Sequence, residues 1–185
     1  MTDNPHDDNP RRRDFLYIAT GVVGAAGVCA GAWPFISALG PDAETIANGA
    51  PVDVNLEPIA EGQIAKVLWR GRLVFIRHRT AEEIQKAKDL PVSAQLDPQE
   101  DSLRVKEGHE EWLVVFGNCT HLGCVLLGHE GQHGGWSCPC HGSEFDTSGR
   151  VTRGPAPSNL PVPDYVFLDG GTSIRIGVSS PDQTV

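Results

Sequence analysis

Two short runs dominate the sequence: GNCTHLGCV at residues 117–125 and SCPCHGSE at residues 137–144. Together they hold four of the five cysteines and two of the seven histidines of this 185-residue chain. Glycine and proline are dense in both runs, which excludes a helix interior or a central strand. We therefore predict two loops, and loops rich in sulfur and nitrogen donors are typical of sites that hold a ligand.

Each predicted loop offers one thiolate and one imidazole at close spacing: Cys119 with His121, and Cys138 with His141. A zinc site accepts two sulfurs and two nitrogens, although it leaves the other two cysteines without a role. A framework of disulfide bonds alone accounts for the cysteines but not for the matched histidines. In an iron–sulfur centre of the Rieske type, two histidines replace two cysteines on one iron. The residues alone leave these three interpretations open.

The composition narrows the class of protein. The formal net charge of -9 excludes a broad basic face, so no nucleic-acid partner is expected. The 21 glycines and 14 prolines favour a loop-rich β protein over a helical bundle. A hydrophobic fraction of 39% is compatible with a packed core.

The N-terminal part of the chain has the pattern of a membrane anchor. Residues 15–39 contain no charged side chain, and as a helix they would span about 37 Å, enough for a hydrocarbon core of about 30 Å. We predict a cytoplasmic tail at residues 1–14 and a transmembrane anchor at residues 15–39. The tail is placed in the cytoplasm because basic residues precede the anchor and acidic residues follow it: Arg11, Arg12, Arg13, Asp42 and Glu44.

The run RRDFL at residues 12–16 resembles a twin-arginine export signal, an address that delivers folded proteins. The alternative is a cleaved signal peptide, for which Ala30 and Ala32 offer a cut site. The apolar run is longer than the roughly 7–15 residues of a signal core, and it continues past that site. We therefore expect the segment to be retained as an anchor.

The remainder is predicted to form a flexible hinge at residues 40–52, a mainly β head at 53–178 and a tail at 179–185. The hinge has little to bury, although its TIA core is able to form a helical turn. Thr80 and Glu83 have the spacing of a capping box that opens a short helix through Lys88, and residues 90–110 are expected to be loop. Strands are indicated at residues 63–69, 72–78, 112–116, 165–168 and 172–176.

The sequence also resembles the Rieske iron–sulfur proteins of cytochrome bc complexes. CTHLGC at residues 119–124 and CPCHGS at residues 138–143 match the two cluster-binding boxes of that family, and the resemblance extends to residues 69–79 and to GPAP at residues 154–157. It implies a mainly β fold. The expected architecture is a Rieske-type antiparallel β-sandwich head with a small cluster-binding subdomain (about 117–153) and one short helical insert, preceded by a single N-terminal transmembrane helix.

The resemblance implies one [2Fe–2S] cluster and a role for each matching residue. Cys119 and Cys138 would hold one iron, and His121 and His141 the other. Cys124 and Cys140 would form a disulfide that ties the loops together. Three further roles are implied: the Ser143 hydroxyl is available to a bridging sulfide, the exposed His141 contacts quinol with His121 as the second imidazole, and Leu122 shapes the docking surface.

The family implies that quinol supplies an electron and a proton, and that the head swings on its hinge to pass the electron to a c-type cytochrome. Implied partners are the cytochrome b and c-type cytochrome subunits of a dimeric complex in the bacterial inner membrane, with the head in the periplasm. Two alternatives remain at this stage. One is a Rieske subunit of another exported oxidoreductase, such as an arsenite oxidase, and the other is a zinc-stabilised binding module.

One position departs from the family pattern, because Phe145 stands where tyrosine is usual. Phenylalanine cannot donate a hydrogen bond to the Cys119 sulfur, so we predict a somewhat lowered midpoint potential. Two further groups are predicted to have no site chemistry. His129 and His133 lie in a glycine-rich run that is expected to be a solvated loop. A set of acidic residues is expected to be mostly a solvated face: Glu100, Asp101, Glu107, Glu110 and Glu111.

Overall fold

The computed structural model describes residues 12–129, 131 and 134–179, in two compact units that divide between residues 44 and 45. In the first unit, helix α1 (Arg12–Ser37) is 26 residues long and is long and apolar enough to cross a membrane. It begins before the predicted anchor because a helix continues readily through polar residues outside the apolar stretch. A six-residue helix, α2 (Ala43–Asn48), contains the helical turn anticipated at the TIA core.

Among the described residues of the second unit, ten strands form three antiparallel sheets, and helix α3 (Ala81–Asp89) lies between the strands Arg72–His78 and Trp112–Phe116 in the chain, so the predicted mainly β fold is confirmed. The first sheet has the order β1-β10-β9, the second β2-β3-β4 and the third β5-β6-β7-β8. The strands are β1 Val52–Asn55, β2 Ile64–Trp69, β3 Arg72–His78, β4 Trp112–Phe116, β5 Leu127–Gly128, β6 Trp136–Ser137, β7 Glu144–Phe145, β8 Val151–Arg153, β9 Tyr165–Leu168 and β10 Ser173–Ile176.

The second sheet lies between two hydrophobic cores, and β3 shows the period-2 alternation that this requires. Val74 and Ile76 pack in the first core with Ile174 and Ile176 of the first sheet, which makes these two sheets the β-sandwich. Phe75, from the opposite face of β3, packs in the second core, which carries the predicted metal ligands. All five residues of β4 are buried because both faces of this strand are covered.

The helical insert begins as the sequence predicts. The Thr80 hydroxyl accepts the Glu83 N–H at 3.2 Å and the Glu83 carboxylate accepts the Thr80 N–H at 3.2 Å, a complete capping box. Residues 90–110 are largely irregular, with two short 3₁₀ turns at Val92–Ala94 and Asp101–Leu103. This insert lies against the second core through buried charged side chains.

Asp101 corrects one prediction, because it is only 5% exposed and does not belong to a solvated acidic face. Its carboxylate accepts a bond from Arg79 Nη1 at 2.7 Å and one from the Ser148 hydroxyl. Burial opposes ionisation, but these bonds outweigh it, so the pKa of the Asp101 carboxyl is lowered from its ordinary value. Nothing in the spacing of the acidic run distinguishes this residue, since its partners are Arg79, which follows β3, and Ser148, in the segment after β7.

Candidate metal centre

The first cysteine loop connects β4 to β5 and closes on itself through its backbone. The Cys119 N–H donates to the Cys124 carbonyl at 2.8 Å, and the Gly123 N–H donates to the Cys119 carbonyl at 2.8 Å. The Asn118 side chain supports this turn by donating to the Gly123 carbonyl at 3.0 Å and accepting the Leu73 N–H at 3.3 Å. Gly123 has a φ of +79°, a region that residues with a Cβ adopt only with strain.

The second cysteine loop connects β6 to β7 and repeats this pattern position for position. The Cys138 N–H donates to the Ser143 carbonyl at 2.8 Å, and the Gly142 N–H donates to the Cys138 carbonyl at 3.0 Å. Gly142 has a φ of +71°. In both loops the N–H of the leading cysteine donates to the carbonyl of the fifth residue after it. The fourth residue after that cysteine is a glycine with positive φ, which closes the turn. We call this repeated arrangement the loop frame.

The four cysteines of the loops divide into two pairs. Cys124 and Cys140 are joined by a disulfide bond, which links the first loop to the second. Cys119 and Cys138 are free thiols, 3% and 2% exposed, in the second hydrophobic core. Burial raises the pKa of the Cys119 thiol, although the His121 backbone N–H acts against the rise. Metal binding at this thiol therefore releases a proton at neutral pH.

The two histidines lie side by side between the loops. Their rings are 4.9 Å apart, centroid to centroid, and are nearly perpendicular. Nδ1 of His121 is buried and has no hydrogen-bond partner among the described residues. A buried nitrogen lone pair without a partner is costly unless something absent from the polypeptide binds it. This nitrogen and the two buried thiols therefore fit a metal-containing group. The fourth predicted donor residue, His141, is exposed to solvent.

The geometry does not fit one zinc ion held by all four predicted ligands. A tetrahedral zinc would bring its four donors within about 4 Å of one another. In the part of the chain that the structure describes, the compact set of at least three donors within 4.8 Å is Cys124, Cys138 and Cys140. This set contains neither histidine, and two of its sulfurs are bonded to each other. A group with two irons needs no such compact set, because its two metal atoms would divide the protein donors between them.

The remaining predicted residues surround this arrangement. Ser143 is fully buried and its hydroxyl accepts the Ala156 N–H at 3.1 Å, which leaves the hydroxyl proton free to donate. Phe145 is buried in the second core together with Cys119. Leu122, which follows His121 in the sequence, is 70% exposed.

The glycine-rich run between the loops shows no second metal site among its described residues. His129 is exposed, and its Nδ1 lies 3.1 Å from Nη2 of the buried Arg77. His133 lies outside the described residues.

Two residues of the first loop make supporting contacts that were not predicted from the sequence. Thr120 donates its hydroxyl to the Ser158 carbonyl at 2.7 Å, and Asn118 supports the first loop as described above. Both lie within the quoted run at residues 117–125, but a threonine or an asparagine in a loop carries no signal that specifies its partner. These contacts depend on segments about forty residues away in the sequence.

Comparison with known proteins identifies the family. Residues 2–42 match the description "Ubiquitinol-cytochrome C reductase Fe-S subunit TAT signal", and residues 76–165 match "Rieske [2Fe-2S] domain". The ubiquinol-cytochrome c reductase iron-sulfur subunit of Blastochloris viridis is 64% identical over 90% of this chain and 92% of that protein. The chain belongs to the Rieske iron–sulfur subunit family. The Rieske subunit of Bradyrhizobium diazoefficiens is 56% identical over 96% of this chain and 100% of that protein.

A solved structure titled "Hyperthermophilic respiratory Complex III" supports the fold of this Rieske chain. It has a TM-score of 0.50 and 24% sequence identity, and the match covers 85% of this chain and 98% of that one. The cofactor of this Rieske chain is a [2Fe–2S] cluster, as the matched domain and the relatives indicate. The apolar helix and the matched export signal make it a membrane-anchored, exported protein.

Proposed function

We propose that this chain is the electron-accepting subunit of a respiratory cytochrome bc complex, which takes electrons from quinol and passes them to a c-type cytochrome. The observation that carries the proposal is the contrast between the two imidazoles. His121 has a buried Nδ1 without a partner, whereas the adjacent His141 is exposed. The imidazoles of His121 and His141 would thus connect a buried redox group with the surface that a substrate reaches.

The proposed ligands are Cys119 and Cys138 for one iron and His121 and His141 for the other. When bound, the cluster accepts one electron at a time, at a potential that the two neutral histidines raise. The exposed ring of His141 accepts a hydrogen bond and then a proton from a quinol hydroxyl. The Ser143 hydroxyl donates toward the sulfur atoms of the site, which favours the more negative, reduced form.

Docking is proposed to use the apolar surface beside His141. Leu122 projects from the first loop, and Val125 and Leu127, which follow in the chain, are about half exposed. Quinol and the membrane-embedded part of a partner both favour apolar contact. Cytochrome b is the proposed partner at quinol oxidation, and the c-type cytochrome subunit is the proposed electron acceptor, in a dimeric complex.

The proposed topology follows from the N-terminal unit. Residues 1–14 form a cytoplasmic tail, residues 15–39 anchor the chain in the bacterial inner membrane, and residues 53–178 form the periplasmic head, followed by the tail at residues 179–185. Residues 40–52 act as the hinge on which the head moves between its two partners. The charge asymmetry around α1 supports this orientation.

The test is an electron paramagnetic resonance (EPR) spectrum of the ascorbate-reduced protein, with iron and zinc counted on the same sample. We expect a rhombic Rieske signal and two irons per chain. Stoichiometric zinc and a silent spectrum, from protein made in its native host, would refute the proposal.

The docking role has a matched control within the chain. Leu122 is 70% exposed on the first loop, and Leu68 is 69% exposed on β2. We expect Leu122→Ala to raise the KM for quinol several-fold in the assembled complex, and Leu68→Ala to leave it unchanged. Equal effects of both substitutions, with an unaltered EPR signal, would contradict the assignment of the docking surface.

A further inference from the structure

The segment at residues 154–160, which we call the strap, crosses both cysteine loops. The Ala156 N–H donates to the Ser143 hydroxyl of the second loop at 3.1 Å. Two residues further on, the Ser158 carbonyl accepts the Thr120 hydroxyl of the first loop at 2.7 Å. One short segment therefore contacts each loop within two residues of a proposed ligand.

The strap lies too close to the second loop to accommodate a side chain at its first residue. A Cβ at Gly154 would lie 2.5 Å from Ser143 Cα, and Gly154 has a φ of +96°. Pro155 and Pro157 flank Ala156 and fix φ on both sides of it. The strap is therefore stiff, and a displacement at one end is transmitted along it to the contacts with the loops.

The far end of the strap is held by the insert. The Asn159 N–H donates to Asp97 Oδ2 at 2.8 Å, and the Asn159 amide group donates to the Asp97 carbonyl at 3.0 Å. The Asn159 side-chain oxygen also accepts the Val151 N–H at 2.8 Å. Because Asn159 is only 6% exposed, removing Asp97 would leave its N–H without a good acceptor.

Arg104 strengthens the same attachment. It is 3% exposed, and its Nη2 donates to the Leu160 carbonyl at 2.5 Å while its Nε donates to the Ser148 carbonyl at 2.5 Å. Burial lowers the pKa of Arg104 to about 10, a change that the Asp146 carboxylate partly offsets. The guanidinium remains charged at neutral pH and continues to bond these carbonyls.

We infer that Asp97 is a positioning residue for the metal centre, which acts through Asn159 and the strap to fix the separation of the two cysteine loops. The inference rests on the proposed function, because it takes the four ligands as assigned there. The insert thereby acquires a role beyond covering the second core: it holds the end of the segment that joins the two halves of the site.

The experiment compares Asp97→Ala, Asp97→Asn and Ile174→Val in the full-length chain within its native membrane complex. Asp97→Ala removes the acceptor of the Asn159 N–H, whereas Asp97→Asn keeps an oxygen in its place. Ile174→Val is the control for general destabilisation, because this residue is fully buried in the first core, away from the strap. Three quantities are measured: the EPR line shape per iron, amide hydrogen exchange in residues 154–160, and the thermal unfolding temperature.

For Asp97→Ala we expect amide hydrogen exchange in the strap to rise by roughly tenfold, because the partly buried bond from the Asn159 N–H is lost. We expect its EPR signal to broaden and shift at unchanged iron content, since the strap then restricts the loops less, although the Cys124–Cys140 disulfide still links them. Asp97→Asn should retain most of the wild-type line shape. Ile174→Val should lower the unfolding temperature without changing the EPR signal.

An Asp97→Ala protein with the wild-type line shape and a lowered unfolding temperature would overturn the inference and leave the proposed function intact. A silent wild-type spectrum would overturn both. If Asp97→Ala does not accumulate, Gln99→Ala is used instead. Gln99 contacts Asn159 at 3.4 Å and accepts from Arg104 at 2.7 Å, so a smaller change in line shape is expected, and its absence would count against the inference.

Discussion

The two cysteine loops have the same backbone and different side chains. Aligned on the loop frame, the third residue after the leading cysteine is Leu122 in the first loop and His141 in the second, and both are exposed. The fifth is Cys124 in the first loop and Ser143 in the second. The frame consists of backbone hydrogen bonds closed by a glycine with positive φ, so the side chains at the other positions are available for different tasks.

The proposed tasks divide along this difference. The first loop presents an apolar side chain for docking, and the second presents the imidazole that meets the substrate. The supports behind the loops differ as well. The first is held by the Asn118 side chain and by β3, whereas the segment that follows the second is held by a buried ion pair.

The largest expected loss of unfolding free energy comes from removing the disulfide that links the two loops. The cysteines are sixteen residues apart, and a loop of about that length gives roughly 3 kcal/mol of unfolding free energy through restriction of the unfolded chain. We expect the double variant Cys124→Ser, Cys140→Ser to lose about this amount in denaturant titrations and to lose its cluster more readily. Cys29→Ser, outside the head, is the control, and an unchanged midpoint in the double variant would contradict the expectation.

A second buried carboxylate, Asp101, accepts hydrogen bonds from Arg79 and from Ser148 of the segment after the second loop, and it makes stability depend on pH. The pKa of Asp101 is lowered in the folded chain, so its contribution is present above the unfolded pKa of about 3.9 and is lost as pH falls through the folded value. We expect Asp101→Asn to cost about 2 kcal/mol of unfolding free energy at pH 7. The difference from wild type should shrink below about pH 4. Parallel pH curves for the two proteins would be inconsistent with this account.

The glycines of the two frames provide a symmetric test. Gly123 and Gly142 both have positive φ and open space where a Cβ would stand, so the cost of alanine is backbone strain alone. We expect Gly123→Ala and Gly142→Ala each to lower the unfolding free energy by about 1 kcal/mol. Gly108→Ala, with a φ of +77° on the insert, is the matched control for strain away from the loops. A large inequality between the first two variants would show that the frames are not equivalent.

The smallest expected effect is a shift in midpoint potential when Phe145 is replaced by tyrosine. Phe145→Tyr restores a donor toward the Cys119 sulfur, and a hydrogen bond that favours the reduced form by about 0.5–1.5 kcal/mol raises the midpoint potential by roughly 20–60 mV. Redox titration followed by EPR measures this shift. Phe167→Tyr, which adds the same hydroxyl in the other core, should leave the potential unchanged. An unchanged or lowered potential in Phe145→Tyr would contradict the argument.

The local parts of the fold could be predicted because each has a local cause. The hairpin of β2 and β3 follows from two apolar runs around the Arg70-Gly71 turn, and α3 begins at its capping box. Strand β4 coincides with the predicted residues 112–116 because a short apolar run of that length suits a strand covered on both faces. The four short strands of the third sheet were not predicted, since two or three residues are too few to show a period.

At the site, the sequence indicated the loops and their donors but not the contacts that hold them. Asp97 and Asn159 are 62 residues apart, and either residue alone reads as an ordinary turn former. Asp101 was assigned to a solvated face because its burial depends on arginine and serine partners far away in the chain. Such pairings are properties of the tertiary structure, which spacing along one sequence does not contain.

The proximity of three sulfurs has a consequence for the order of assembly. The sulfurs of Cys124, Cys138 and Cys140 lie within 4.8 Å of one another. If the Cys138 thiolate is not ligated, it can attack Cys124 of the disulfide, form a Cys124–Cys138 bond and release the Cys140 thiolate. The exchange consumes no oxidant, so an oxidising compartment does not prevent it. With the proposed ligands, iron bound at Cys138 before the disulfide forms would block this exchange and leave Cys124 to pair with Cys140.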